Sequence, residues 1–256
     1  MDAWLIGIPA AIAAGLAGAT AYGAVHPRTQ LFGHTISRTE KPGRLALTFD
    51  DGPNPAITPK LLDLLDRHRA KATFFLIGKY VRESPGLAKE LLARGHAIGN
   101  HTETHPNLFF CGPQETRDEL LRCSEAIGQA TWDEPRLFRP PFGFRSPWLG
   151  QIATKYQMQT VMWSLIPGDW REKPAEWLIE RMKPISEHAK GLPGKGRGLG
   201  AVGHGDILCL HDGDYARPNA DRRRTLQSLE YWLPRWRDLG LEFATIGQSL
   251  GKAVEG

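Results

Sequence analysis

Acidic and imidazole side chains follow two of the short apolar runs in this sequence. Asp50 and Asp51 end one run, and His101 and His105, four residues apart, come after another. Two adjacent carboxylates repel each other and are costly to hold together unless a cation neutralises one of them. Two histidines at this spacing lie on one side of a single turn and often bind a metal. Each cluster taken alone also fits a polar surface turn or a histidine held by local hydrogen bonds.

A third cluster, RPPFG, begins at Arg139, where another apolar run ends. Two consecutive prolines fix the backbone that follows the arginine. A rigid turn of this kind can present a free N–H, at Phe142 or Gly143, to a developing oxyanion. The alternative is a rigid loop with a solvent-facing arginine.

Two further clusters occur later in the chain. WSLIPGDW contains Asp169 and Trp170, and GDILCLHDG ends an apolar run at His211. Taken alone, Trp170 could be a core residue, and His211 could be a polar residue whose hydrogen bonds are made within the fold. Independent surface turns have no reason to place these residue types at the ends of successive apolar runs, so together the clusters indicate an active site.

The elements that position these clusters alternate between short apolar runs and amphipathic helical patterns. This alternation predicts a parallel sheet, and the number of strands favours closure into a distorted (β/α) barrel of about seven strands. Chemistry in such folds lies at the carboxyl ends of the strands. The predicted strands span residues 44–49, 72–77, 96–99, 136–138, 159–163, 206–210 and 241–244.

Three helix starts share a hydroxyl residue followed by proline. These are Thr58-Pro59, Ser84-Pro85 and Ser146-Pro147. Proline suits the first helical position because it needs no hydrogen-bond acceptor there, and a hydroxyl before it can cap free N–H groups. We therefore expect a side-chain cap at each of the three helices.

Residues 3–25 carry no charged side chain. The length suits a bilayer span, for which about 20 apolar residues are needed. We interpret residues 1–25 as a membrane anchor, with a signal segment and a buried alanine-rich helix as alternatives. Residues 26–43 are predicted to be a linker and residues 44–250 the folded domain. The glycine-rich stretch 190–205 is expected to form a long loop that borders the cleft and shapes specificity.

Composition limits the remaining possibilities. The chain has 256 residues, 41% of them hydrophobic, and a formal net charge of +4. These values exclude a disordered or collagen-like chain, and the positive surplus is too small to indicate a nucleic-acid-binding protein. Three cysteines without a CxxC pair exclude a disulfide framework and disfavour a thiolate zinc site.

The clusters resemble, in sequence and in order, the motifs of the polysaccharide deacetylase family, also called the NodB-homology domain or carbohydrate esterase family four. The resemblance runs from about residue 44 to residue 243 and includes TFDDGP, HTETH, RPPFG, the Asp169-Trp170 pair and LHD. It implies a distorted (β/α) barrel and a hydrolase that removes acyl groups from sugars with one divalent metal.

The resemblance also implies a role for each matching position. Asp51, His101 and His105 would bind the metal, most simply Zn²⁺, with Co²⁺ or Ni²⁺ also compatible with these ligands. Asp50 would be the catalytic base and His211 the acid. Arg139 would pair with Asp50, and Asp169 would tune His211.

Three positions depart from the family pattern. Phe142 replaces the usual tyrosine, but its backbone N–H is the working group. Cys209 replaces a leucine that lines the acetyl pocket, and Ile166 replaces a frequent polar residue. We assign Phe142, Trp170 and Cys209 to substrate binding, and we expect the departures to affect substrate preference.

With this resemblance, the sequence predicts a metal-dependent hydrolase that removes N-acetyl groups from peptidoglycan or a chitin-like oligomer and releases acetate. Two alternatives are a membrane-apposed deacylase of a lipid-linked amino sugar and a non-catalytic carbohydrate-binding domain. A glycosidase with paired carboxylates would leave the two histidines unexplained. We expect a monomer attached to the membrane through residues 3–25. Arg28, Arg38 and Lys41 favour a cytoplasmic domain, but the family's substrates favour export, which we adopt.

Overall fold

The computed structural model describes residues 4–39, 41, 43–191 and 205–250, with the backbone alone over 4–13. The predicted glycine-rich loop over 190–205 therefore lies almost entirely outside the described residues. Its expected place beside the cleft stays a prediction.

The strands form one parallel sheet with the order β1-β6-β5-β4-β3-β2-β7, and β8 adds to β2. The strand pairs within the described ranges are all parallel. Each of the seven strands predicted from the sequence is present. The strands are β1 (Thr35–Ile36), β2 (Arg44–Gly52), β3 (Ala72–Leu76), β4 (Ala97–Asn100), β5 (Leu137–Phe138), β6 (Gln159–Val161), β7 (Asp206–His211) and β8 (Glu242–Phe243).

The sheet curls until β7 meets the chain beyond the opposite edge. The N–H of Cys209 donates to Leu165 O at 2.9 Å, and the N–H of Thr39 donates to Gly205 O at 3.0 Å. These isolated bridges take the place of a continuous strand ladder. The fold is therefore a distorted (β/α) barrel, as the strand–helix alternation predicted.

The strand absent from the sequence prediction, β1, lies in the segment interpreted as a linker over 26–43. It pairs with β6 through Thr35–Thr160 and Ile36–Val161. The segment is packed against the barrel over much of its length. Its apolar pattern is too short to predict a strand, and the pairing arises from the neighbouring β6.

Nine α-helices accompany the sheet within the described ranges. They are α1 (Trp4–Val25), α2 (Thr58–Arg67), α3 (Gly78–Glu83), α4 (Pro85–Ala93), α5 (Pro113–Thr131), α6 (Leu149–Lys155), α7 (Ala175–Ala189), α8 (Arg223–Asp238) and α9 (Ile246–Ser249). Within the part of the chain that the structure describes, no helix is both long and apolar enough to cross a bilayer.

The predicted prolines begin α2 and α4, but the predicted hydroxyl caps are wrong. None of α2, α4 and α6 has a side-chain cap, and α6 begins only at Leu149. The Thr58 hydroxyl instead accepts a hydrogen bond from the N–H of Asn54 at 2.8 Å and donates one to the carboxylate of Asp212. Tertiary partners outcompete local capping at this position.

Alternation along the strands separates two apolar layers. Leu45, Leu47 and Phe49 of β2 pack under the helices, in the main core. Ala46 faces the barrel interior with Ile207 of β7 and Phe75 of β3. Because side chains alternate along a strand, Asp50 and His211 continue the interior rows and reach the carboxyl end of the barrel.

Candidate active site

Asp50 and His211 are brought together by strand register. They are direct partners across the parallel pair of β2 and β7. Adjacent residues of a regular strand point to opposite faces, so Asp51 would ordinarily turn away from Asp50. The pairing of β2 with β3 shifts between Asp50 and Gly52, and Asp51 has φ 69°. This bulge aims both carboxylates at the same end of the barrel.

The two histidines lie in the loop after β4, which is not a helical turn. Thr102 and His105 within it have φ values of 67° and 64°. Non-glycine residues with positive φ are uncommon and strained, and they concentrate at functional sites. The Nδ1 of His101 donates to Arg139 O at 2.7 Å, which leaves its Nε2 free to act as a ligand.

The cluster of Asp51, His101 and His105 fits a divalent metal. Asp51 Oδ1 lies 3.4 Å from His101 Nε2 and 3.2 Å from His105 Nε2. Ligand atoms about 2.1 Å from one tetrahedral ion are about 3.4 Å apart, so these donors already have the required spacing. Among the described residues, no hydrogen bond of good geometry reaches the buried Asp51 Oδ1. A bound cation would satisfy this atom.

Electrostatics keep the carboxylate ligand ionised. Burial disfavours the charged form of Asp51, but His101 and His105, with a smaller contribution from His211, hold its pKa well below the usual range. Burial also lowers the pKa of His105, against the opposing effect of Asp51. Neutral imidazoles and an ionised carboxylate are the forms that bind metal.

A second group of possible ligands is Asp50, Cys209 and His211. Here the charge of Asp50 is already paired, because Arg139 Nη1 lies 2.7 Å from its Oδ1. Burial raises the pKa of Cys209 well above its ordinary value, so the sulfur stays a neutral thiol. This second group is consequently poorly suited to a metal and better suited to proton transfer.

Arg139 is fully buried and held from several directions. Its Nη1 donates to Thr48 Oγ1 at 2.7 Å, its Nη2 to Met162 O at 2.9 Å, and its guanidinium lies 4.2 Å from the Phe75 ring centre. An arginine fixed in this way fixes its carboxylate partner too. Asp50 is therefore held in one orientation, with Oδ2 3.3 Å from Cys209 Sγ.

His211 is tied to Asp169 by two contacts. Its Nδ1 lies 2.8 Å from Asp169 Oδ1, and its backbone N–H donates to Asp169 Oδ2 at 2.8 Å. Burial alone would lower the pKa of His211, but Asp169, with the charges of Asp51 and Asp50, raises it to about 9. The imidazole is thus protonated at neutral pH and can donate a proton.

These groups surround one cavity of about 370 Å³. Seven of the residues predicted from the sequence line it: Asp50, Asp51, His101, His105, Phe142, Trp170 and His211. Arg139 and Asp169 are buried behind them. Cys209 is fully buried under Asp50, outside the lining, and its Sγ contacts the predicted base, while its role in substrate binding stays a prediction.

The aromatic residues form the walls. Trp170 lies edge-on to His211, with ring centres 5.1 Å apart. Phe142, with φ 57°, lies edge-on to His105 at 4.6 Å. The N–H of Gly143 donates to Pro140 O at 3.0 Å, so Phe142 is the remaining candidate for the oxyanion donor predicted in this turn.

Tyr215 and Asp212 are among the residues at the site to which sequence reasoning gave no role. Tyr215 stacks on His105 with ring centres 4.7 Å apart and has no periodic signal around it. Asp212 lies under the end of β2, where burial, and to a lesser extent Asp51 and Asp50, raise its pKa to about 7. Asp212 follows His211 directly, so its place in the LHD motif is a sequence signal that could have identified it.

The chain is similar to known deacetylases. Residues 37–161 match the family described as polysaccharide deacetylase. A chitooligosaccharide deacetylase from Bradyrhizobium sp. (strain ANU 289) is 36% identical over 209 residues, which cover 79% of this chain and 88% of that protein. A peptidoglycan-N-acetylglucosamine deacetylase from Bacillus cereus (strain ATCC 14579) is 35% identical over 207 residues, 80% of this chain and 87% of that protein. The crystal structure of a peptidoglycan N-acetylglucosamine deacetylase superposes with a TM-score of 0.73 at 26% identity, covering 87% and 94% of the two chains.

Proposed function

The chain belongs to the polysaccharide deacetylase family, and on that premise we propose that it removes N-acetyl groups from an amino-sugar glycan with one divalent metal ion. It is a hydrolase of carbon–nitrogen bonds, as its relatives are. One observation carries the proposal. The metal-ligand cluster, the Asp50–Arg139 pair and the Asp169–His211 pair all meet at a single cavity.

A divalent ion held by Asp51, His101 and His105 would supply Lewis acidity at the acetamide carbonyl and at an attacking water. Asp50 takes a proton from that water, and its pairing with Arg139 keeps the accepting oxygen in place. The Phe142 N–H donates to the carbonyl oxygen as negative charge develops there.

His211 supplies the proton that the departing amine needs. The imidazole is positioned by Asp169 and shielded on one side by Trp170. Because it is already protonated at neutral pH, it can act as a general acid without first gaining a proton. The products are acetate and an amino sugar.

Acetate release from chitin oligomers and peptidoglycan strands, measured beside metal content, tests this function. We expect turnover by the metal-loaded protein, with Zn²⁺, Co²⁺ and Ni²⁺ compared. A chelator should abolish turnover, and returning the metal should restore it. Activity that survives complete removal of metal would contradict the proposed chemistry. The absence of turnover on every glycan, with glycan binding retained, would favour a carbohydrate-binding domain instead.

We also propose that residues 1–25 hold the enzyme at a membrane, with the barrel on the outer side, where its glycan substrates lie. Leu16 is 64% exposed on α1, whereas Ala24 in the last turn is only 2% exposed. The helix therefore joins the barrel at its end and presents apolar side chains outward. Fractionation of cells expressing the full chain, with and without residues 1–22, tests the anchor, and protease added to intact spheroplasts tests the side.

A further inference from the structure

The loop between β7 and α8 places an arginine at the rim of the cavity. Arg217 lines the cavity, yet 67% of its side chain remains exposed to solvent. Its nearby acid is Asp214, whose Oδ2 lies 3.1 Å from Arg217 Nη2. None of the catalytic steps described above uses Arg217.

The charge of Asp214 is already neutralised from the other side. Arg222, which is buried, lies with its Nη2 3.2 Å from the same Asp214 Oδ2 and donates its Nε–H to Gly213 O at 2.7 Å. Two guanidinium groups thus share one carboxylate. The surplus positive charge belongs to the exposed member, Arg217, at the mouth of the cavity.

Hydrogen bonds hold the backbone of the loop that carries this charge. Asp214 Oδ1 accepts hydrogen bonds from the N–H groups of Ala216 and Arg217, at 3.0 and 3.2 Å. The carbonyl of Tyr215 accepts from Lys79 Nζ at 2.7 Å and from the Tyr80 hydroxyl at 2.9 Å. A preorganised cation binds an anionic ligand with less loss of conformational entropy than a mobile one.

Much of the remaining wall is aromatic. Phe142, Trp163, Trp170 and Tyr215 line the cavity and suit the apolar faces of a sugar. A neutral chitin oligomer carries no group that needs an arginine. A carboxylate or a phosphate on the sugar next to the reacting one would pair with the guanidinium, which matches the geometry of both anions.

We propose that Arg217 is a specificity-determining residue that selects glycans with an anionic substituent on the sugar adjacent to the N-acetylated one. The proposal rests on the deacetylase function proposed above and names the chemical class of its substrate. The contact is made at an exposed rim, where a charge pair contributes modestly and is weakened by salt.

The test compares kcat/KM for three oligomers of equal length, measured with the metal-loaded full chain. One is neutral N-acetylglucosamine oligomer, the second bears a lactyl-ether carboxylate on the neighbouring sugar, and the third bears a phosphate monoester there. We expect Arg217→Gln to lower the anionic-to-neutral ratio about fivefold, mainly through KM. Arg217→Lys should restore part of the ratio, and added salt should lower the ratio in the wild type but not in Arg217→Gln. The anion, carboxylate or phosphate, that gives the larger anionic-to-neutral ratio in the wild type is the substituent that Arg217 selects.

Arg223→Gln is the matched control. Arg223, the first residue of α8, has 73% of its side chain exposed and pairs with Asp221, but it does not line the cavity. An unchanged ratio in Arg217→Gln, or an equal fall in Arg223→Gln, would overturn the proposal. If the wild type releases no acetate from any oligomer, the deacetylase function fails separately, and calorimetric affinities for the same three oligomers then decide the role of Arg217.

Discussion

Replacing Asp169 with Asn should move the alkaline limit of activity to lower pH. The change keeps the size of the side chain but removes the negative charge 2.8 Å from His211 Nδ1. That charge is the largest influence raising the pKa of His211, which lies at about 9 in spite of burial. Because the general acid works in its protonated form, activity is present below this pKa and is lost as the pH rises through it.

The size of the shift follows from the contact. Loss of an adjacent opposite charge moves a pKa by about 1–3 units. If the pKa falls by about 2 units, the protonated fraction at pH 8 falls from about nine-tenths to about one-tenth. We therefore expect Asp169→Asn to lose about tenfold more activity at pH 8 than at pH 6.

Acetate release across pH 5–10, at saturating metal, measures this effect. A bound cation offsets the influence of Asp51 on His211, so both proteins are compared in the metal-loaded state. Asp133→Asn, on the exposed surface, is the control and should keep the wild-type profile. Coincident alkaline limbs for wild type and Asp169→Asn would refute the assignment of His211 as an acid tuned by Asp169.

The same pair affects stability with a defined sign. The folded-state pKa of His211 is raised above its ordinary value of 6.5. Protonation of His211 therefore contributes stability that is fully present below about pH 6.5 and is lost as the pH rises through about 9. The stability difference between wild type and Asp169→Asn, measured by urea unfolding, should shrink across this range, and a difference that stays constant would count against the coupling.

Three other substitutions separate the parts of the site. Asp50→Asn should lower kcat by about 10²–10⁴ because it removes the base, while the bound metal stays. A loss of metal content in parallel with the loss of activity would count against this role. Asp51→Asn should lower metal content, measured by atomic absorption after dialysis, and retained metal would contradict its role as a ligand. Gly52→Ala would place a methyl 2.5 Å from Asp212 Oδ2 and should lower the free energy of unfolding by about 1–3 kcal/mol. Gly86→Ala is the control, because it has open space around it and should not lower this free energy. An equal loss of stability in both variants would contradict the steric argument.

The catalytic residues could be predicted from the sequence because the end of a strand is recognisable from adjacent residues alone. A short apolar run followed by Asp50 or His211 is visible without knowledge of the fold, and parallel strands bring such ends to one rim. The resemblance to a family then assigned roles to residues already singled out by their position. The seven strands were predictable for the same reason, since each has its own apolar run.

Other features depend on contacts between distant parts of the chain. The two-residue strand β1 exists because β6 offers it hydrogen bonds, and the Thr58 hydroxyl leaves its helix because Asp212 lies within reach. The barrel interior brings Cys209 into contact with Asp50 of the neighbouring strand. A local sequence pattern contains no information about any of these distant partners.

Residue type and spacing along one strand or loop suffice to identify the side chains that could bind a metal and move protons. The tertiary structure decided how they meet. A bulge with positive φ turns Asp51 beside Asp50, buried Arg139 fixes the base, and Asp169 raises the pKa of the acid. It also decided that Arg217 stands at the rim with surplus charge. The physical reason is that orientation, burial and charge balance are set by neighbours in space, many of them far away in the chain.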